Sequence, residues 1–212
     1  MRWMSILLVA LTLASPLHAN GERAGDFDYY VLSLSWSPTW CALEGDARNA
    51  RQCTPSRHSG WILHGLWPQY DQGYPSNCRT AARDPSRGQT NAMADIMGAG
   101  GAAWHQWKKH GRCSGLKADE YFETARRAYN SIQRPAILRK LHETVKLPAS
   151  VIEAAFLKSN PGLSPDTITI TCKKGHIQEA RICLTRDLKP RNCGADVVRD
   201  CQMQKAILEP VR

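Results

Sequence analysis

Two short stretches of this 212-residue chain set histidine among tryptophans: Trp61-Ile62-Leu63-His64-Gly65-Leu66-Trp67-Pro68 and His105-Gln106-Trp107-Lys108-Lys109-His110-Gly111-Arg112-Cys113. Histidine titrates close to neutrality, so two imidazoles in one site take a proton from one oxygen and give one to another. That is the minimal equipment for moving a phosphoryl group between oxygens without a metal. A helix over residues 104–110 advances about 100° per residue, which sets His105, Gln106, Lys109 and His110 within an arc of about 140°. Trp104 and Trp107 fall on the other side. The polar arc is suited to line a cleft, and the tryptophans to anchor the helix. His105 and His110 are five apart, off the i, i+4 spacing of a helical metal pair. Metal binding is therefore the weaker alternative, and no metal or cofactor is expected.

The elements that must position these residues show in the pattern around them. Residues 30–36 alternate Leu32, Leu34 and Trp36 against Val31, Ser33 and Ser35, a strand with one buried face that Pro38 stops. A second short strand covers residues 61–64 and ends at Gly65 and Pro68, which puts His64 at a strand end. Residues 167–172 and 177–185 are β-rich and joined by Lys173-Lys174-Gly175-His176, so they form an antiparallel hairpin. Between early and late strands lie helical patterns. Over residues 119–132, Tyr121, Phe122, Ala125, Ala128, Tyr129 and Ile132 make one apolar stripe, interrupted by Pro135. Ser150 and Glu153 have capping-box spacing for a helix running through Leu157. Residues 77–88 are polar and form a surface loop near the first motif. Helices lie between the two groups of strands, which argues for an α+β domain with a central antiparallel β-sheet flanked by helices.

The first 19 residues carry one cation, Arg2, an apolar run over 6–13 and a small-residue cleavage site at Leu17-His18-Ala19. This is the pattern of a secretory signal peptide (1–19), with a run shorter than the roughly 18 residues that span a bilayer. The domain is then 20–212, exported to the periplasm or the medium, with no membrane attachment after cleavage. All eight cysteines lie beyond the cut, an even count that fits four disulfides in an oxidising compartment, and no CxxC pair points to zinc. Removing 19 residues from 212 leaves 193, the size of one domain, with no linker or repeat. The formal charge of +9 becomes +8 when Arg2 leaves, a balance that suits a polyanionic partner.

At these residues the chain resembles the ribonuclease T2 family, and within it the bacterial ribonuclease I-like branch. The family's first signature, an aromatic, two residues and then His-Gly-Leu-Trp-Pro, is matched fully by residues 61–68. Its second, His-Glu-Trp-x-Lys-His-Gly-Thr-Cys, is matched by residues 105–113 except for Gln106 and Arg112. Residues 26–36 and Asn192-Cys193-Gly194 also look like family segments. The resemblance implies a disulfide-stabilised single α+β domain that cleaves single-stranded RNA as a monomer. Attack of a ribose 2′-OH on phosphorus needs a base, an acid at the departing 5′-oxygen and positive charge near the phosphoryl oxygens. By resemblance His110 is the base, His64 the acid, Lys109 the stabilising charge and His105 a phosphate ligand. Trp67 walls the site, and Tyr70 and Tyr74 are candidates for stacking on bases. DNA, without the 2′-OH, binds uncut.

Gln106 departs from the family pattern, because an amide hydrogen-bonds but does not ionise. The expectation is reduced but real activity. Two other readings stand beside it: an RNA-binding homologue with weak or no activity, and a secreted ribonuclease acting as toxin or effector. His58, His142, His176, Arg79, Arg83 and Arg87 read first as surface residues. The resemblance implies a Cys78–Cys113 bridge that clamps the two histidine segments. For the rest, Cys41–Cys53, Cys183–Cys193 and Cys172–Cys201 are expected, although eight cysteines allow 105 connectivities.

Overall fold

A computed structural model describes residues 22–212; the expected signal peptide lies outside the described residues. In chain order the main elements are β1 (Tyr29–Trp36), α1 (Ser37–Trp40), β2 (Trp61–Gln69), α2 (Arg87–Asn91), α3 (Ala94–Met97), α4 (Gly100–Lys109), α5 (Ala118–Ser131), β3 (Val145–Leu147), α6 (Ala149–Ser159), β4 (Ile168–Lys173), β5 (His176–Leu184) and β6 (Ala206–Leu208). Short 3₁₀ and π turns fill the stretch between α1 and β2. The fold is α+β. Among the described residues, no helix is long and apolar enough to cross a membrane.

One sheet holds six strands in the order β2-β1-β5-β6-β3, with β4 also on β5. The pairings are antiparallel except for β5 with β6, which meet in parallel at His176 and Ile207. The expected antiparallel sheet is therefore a mixed one. A parallel neighbour needs a long return connection, and residues 185–205 supply it, tied to β4 by Cys172–Cys201. Leu32, Leu34 and Trp36 of β1, Leu63 and Leu66 of β2, and Ala180 and Ile182 of β5 pack against Phe122 and Ala125 of α5 and Ile152 and Phe156 of α6. Burying these large apolar side chains is the main stabilising term. The opposite face of β1, β2 and β5 is left for the site.

Disulfides join Cys41–Cys53, Cys78–Cys113, Cys172–Cys201 and Cys183–Cys193. The Ser150 capping box does not form. Pro148, with φ near its ring-fixed value, occupies the N-cap, so α6 starts at Ala149 and no side chain caps it. The 77–88 stretch is the surface loop its polarity implies, most of its residues exposed, and it is pinned by Cys78, buried at 1 % exposure. The capping box here is formed by Ser86 and Gln89 at the start of α2.

Candidate active site

A regular strand turns alternate side chains to opposite faces, so His64 and Trp67, three apart, would point to opposite sides. The β1–β2 register prevents this. Ser33 faces Gly65 and Leu34 faces Leu63, which leaves His64 as the extra residue between the two pairs. A bulge of this kind re-aims a side chain, and His64 and Trp67 both line one cleft of about 450 Å³. The strand does not end at Gly65, where the glycine predicts a stop, but continues to Gln69. Gly65 is needed for space: any Cβ there would collide with Gln106 Oε1 and Trp67 Nε1. Pro68 is tolerated because β2 is an edge strand.

Helix α4 turns Ala103, Gln106 and Trp107 inward against β2, and His110 follows on the same side as the helix ends. Its N–H donates to the Gln106 carbonyl at 2.9 Å. Gly111 then turns the chain where a Cβ would press on Trp107 and Tyr121. Trp104 is no anchor. The inward face runs 103, 106, 107 and 110, and Trp104 is 38 % exposed. Trp107 anchors alone, its Nε1–H donating to Asp84 Oδ1 at 2.8 Å. Arg112, the second departure from the family signature, grips both oxygens of that same carboxylate, at 2.6 and 2.8 Å. Arg112 and Trp107 together hold Asp84 well below the usual carboxylate range.

Trp67 is the hub of the cleft. Its Nε1–H donates to Gln106 Oε1 at 2.7 Å. Its ring stacks on His110 with centroids 5.2 Å apart and meets His64 edge to face, also at 5.2 Å. The Arg181 guanidinium sits 5.3 Å from the ring centroid. His105 and Lys109 line the same cleft, so six of the expected residues, His64, Trp67, His105, Gln106, Lys109 and His110, are brought together. A second lobe of about 420 Å³ continues past His64 and Gln106 toward Trp40, Gln52 and Met97.

His110 is buried at 5 % exposure, and its Nδ1 has no hydrogen-bond partner. Burial, reinforced by the positive charges of Lys109, His64 and His105, pushes the His110 imidazole down to about 3. It is therefore neutral near pH 7. His64 has the opposite surroundings, with Nδ1–H donating to Glu179 Oε1 at 2.5 Å. Arg181 Nε and Nη2 donate to Glu179 Oε2 at 2.9 and 2.7 Å. Burial alone would raise the Glu179 carboxyl, but the bonds and charges of His64 and Arg181 outweigh it and hold the group below its ordinary value.

Tyr70 does not join the site. Its N–H donates to the Gly73 carbonyl in a turn, and its ring packs against the core. Gly73 adopts φ +82 there, and four residues after Tyr70 the chain presents Tyr74 to the cleft, 6.4 Å from His110. His58, His142, His176, Arg79, Arg83 and Arg87 do not line the cleft. Glu179, Arg181, Asp196 and Arg199 do, and sequence reasoning missed them. The available signal for the first two was a glutamate and an arginine at i, i+2 in a strand whose following residues, Ile182, Cys183 and Leu184, are apolar, which places both on one face.

The model of the Ribonuclease T2 family matches residues 27–193 of the chain, a span that includes both histidine segments and the β5 pair. The chain belongs to the ribonuclease T2 family. A ribonuclease of Aeromonas hydrophila is 44 % identical over 119 residues, which cover 56 % of this chain and 52 % of that protein; the chain thus spans about half of that relative's length. Ribonuclease I of Escherichia coli is 26 % identical over 260 residues, covering 93 % of this chain and 97 % of its own. Among solved structures, an RNase-related protein from Calystegia sepium superposes with a TM-score of 0.65 at 21 % identity, over 86 % of this chain and 96 % of its own. That likeness concerns the fold of this T2 member.

Proposed function

We propose that the protein is an endoribonuclease that cleaves single-stranded RNA by transphosphorylation, without a metal ion, to a 2′,3′-cyclic phosphate that is later hydrolysed to a 3′-phosphate. The observation that carries this reading is the pair of imidazoles packed against one indole, with Lys109 and Gln106 in the same cleft. Neutral His110 takes the proton of the 2′-OH as its oxygen bonds to phosphorus. His64, as imidazolium, gives a proton to the 5′-oxygen as the P–O5′ bond breaks. Lys109 and the Gln106 amide face the charge that builds on the phosphoryl oxygens, and His105 binds phosphate. Lobes on both sides of His64 leave room for a nucleotide on either side of the scissile bond. Four disulfides support export to an oxidising compartment, the periplasm or the medium.

Digestion of RNA and DNA with EDTA present, followed by analysis of product ends, tests this reading. Cyclic phosphate and 3′-phosphate ends on RNA, with DNA intact, are expected. A strict metal requirement or equal cleavage of DNA overturns it. A second reading, an RNA-binding homologue with little turnover, is favoured only by Gln106, an amide where the family pattern has an acid.

A further inference from the structure

The Glu179–His64 bond is a contact across two strands. In the sheet β1 lies between β2 and β5, and strands are about 4.8 Å apart, so the two side chains must reach over β1 to meet. Ser33 and Ser35 are the β1 residues on that path: Ser33 pairs with Gly65 and Arg181, and Ser35 with Ile62 and Glu179. Both are short enough to pass beneath the bridge, and the bulge at His64 aims the imidazole toward it. The result is an asymmetric pair. The Glu179 side chain is 2 % exposed and the His64 side chain 42 %. The carboxylate is sealed from the cleft solvent, while the imidazole keeps its other edge free. Both Glu179 oxygens are taken, one by His64 and the other by Arg181, so its contribution to the cleft passes through His64.

We infer that Glu179 is a positioning residue for His64, holding its imidazole as the Nδ1–H tautomer with Nε2 turned to the cleft, and that Arg181 locks Glu179 in that orientation. The geometry is that of a carboxylate orienting an acid–base histidine, in which the bond at one ring nitrogen decides what the other does. Arg181 occupies the second carboxylate oxygen with two donors, so Oε1 is the oxygen left for His64. The same guanidinium lies over Trp67, which ties the orientation of His64 to the indole that also holds Gln106 and His110. With Gln106 uncharged, Glu179 is the carboxylate hydrogen-bonded to a cleft imidazole among the described residues. The inference rests on the ribonuclease reading above and assigns the source of His64's orientation.

The test compares two substrates. A ribodinucleotide has a 5′-alkoxide leaving group that needs a proton. A nucleoside 3′-(4-nitrophenyl phosphate) releases a phenolate that leaves without one. Glu179→Gln is expected to lower kcat/KM about 100-fold on the dinucleotide and less than about threefold on the aryl ester, with Glu179→Asp recovering part of the loss. Equal losses on both substrates overturn the inference and leave the ribonuclease reading standing. Failure of the unaltered protein to cut either substrate overturns the ribonuclease reading itself. Because Glu179→Gln leaves Arg181 without its buried partner, ¹⁵N NMR of the unaltered protein at alkaline pH supplies an independent readout. A protonated Nδ1 and a bare Nε2 on His64 are expected, and the reverse tautomer overturns the assignment.

Discussion

Trp67 donates its indole N–H to Gln106 Oε1 across 2.7 Å, so the side chain at the family's glutamate position is fixed by the strand it faces. The amide oxygen is spent on the indole, and the amide nitrogen is the end left for a phosphoryl oxygen. Gln106→Glu keeps the acceptor for Trp67 and makes that hydrogen bond charge-assisted, while restoring a group that exchanges protons. We predict a rise of about tenfold in kcat/KM on a ribodinucleotide. A fall, or no change, would show that the amide is no handicap.

At Gly65, β2 passes close to the Gln106 side chain of α4. A methyl at this position would enter the space of Gln106 Oε1 and Trp67 Nε1 at once. Gly65→Ala should destabilise the fold by about 1–3 kcal/mol and reduce kcat/KM at least about tenfold, because the two groups it displaces sit in the cleft. Urea unfolding and steady-state kinetics read the two effects separately.

Asp84 holds Trp107 from outside the cleft, and Arg112 holds Asp84. Asp84→Ala leaves the indole N–H of a fully buried tryptophan without an acceptor, a cost of about 1–3 kcal/mol. Arg112→Thr, which restores the family residue, leaves Asp84 bonded to Trp107 and should cost less than about 1 kcal/mol. Unfolding midpoints that rank the two variants in the reverse order would contradict this account of Arg112.

His110 predicts a stability profile. Its imidazole is pushed down to about 3, chiefly by burial and then by Lys109, His64 and His105, whereas in the unfolded chain it takes a proton near 6.5. Between those values the unfolded state binds more protons, so stability falls as pH drops. The contribution is complete above about pH 6.5 and is lost on the way to about pH 3. At pH 4.5 the unfolding free energy should be lower than at pH 7 by about 2–3 kcal/mol from this residue. His110→Asn should flatten the profile over that window, as followed by urea melts.

Much of this site is visible in the chain itself. The second histidine segment has helical spacing, and the helix it forms presents Gln106 and His110 on the side that meets β2. The place of His64 was harder to read. Gly65 has the appearance of a strand terminator, but its lack of a side chain serves a close approach to Gln106, which only the packed structure reveals. Trp104 and Trp107 lie near each other on the helix, yet only the direction of β2 decides that one is buried and the other exposed. Glu179 is 115 residues from His64, and their meeting depends on the order β2-β1-β5 and on a one-residue bulge. No local pattern encodes either. Tyr70 and Tyr74 are chemically equal in the sequence, and the turn at Gly73 is what separates their fates.

The central claim is that a ribose 2′-oxygen attacks phosphorus with His110 and His64 moving the protons. The most direct measurement is cleavage of a ribodinucleotide, with EDTA present, beside the same dinucleotide carrying a 2′-O-methyl group at the scissile position. The account predicts a 2′,3′-cyclic phosphate from the first and no cleavage of the second. Cleavage of the 2′-O-methyl dinucleotide at a comparable rate would contradict it.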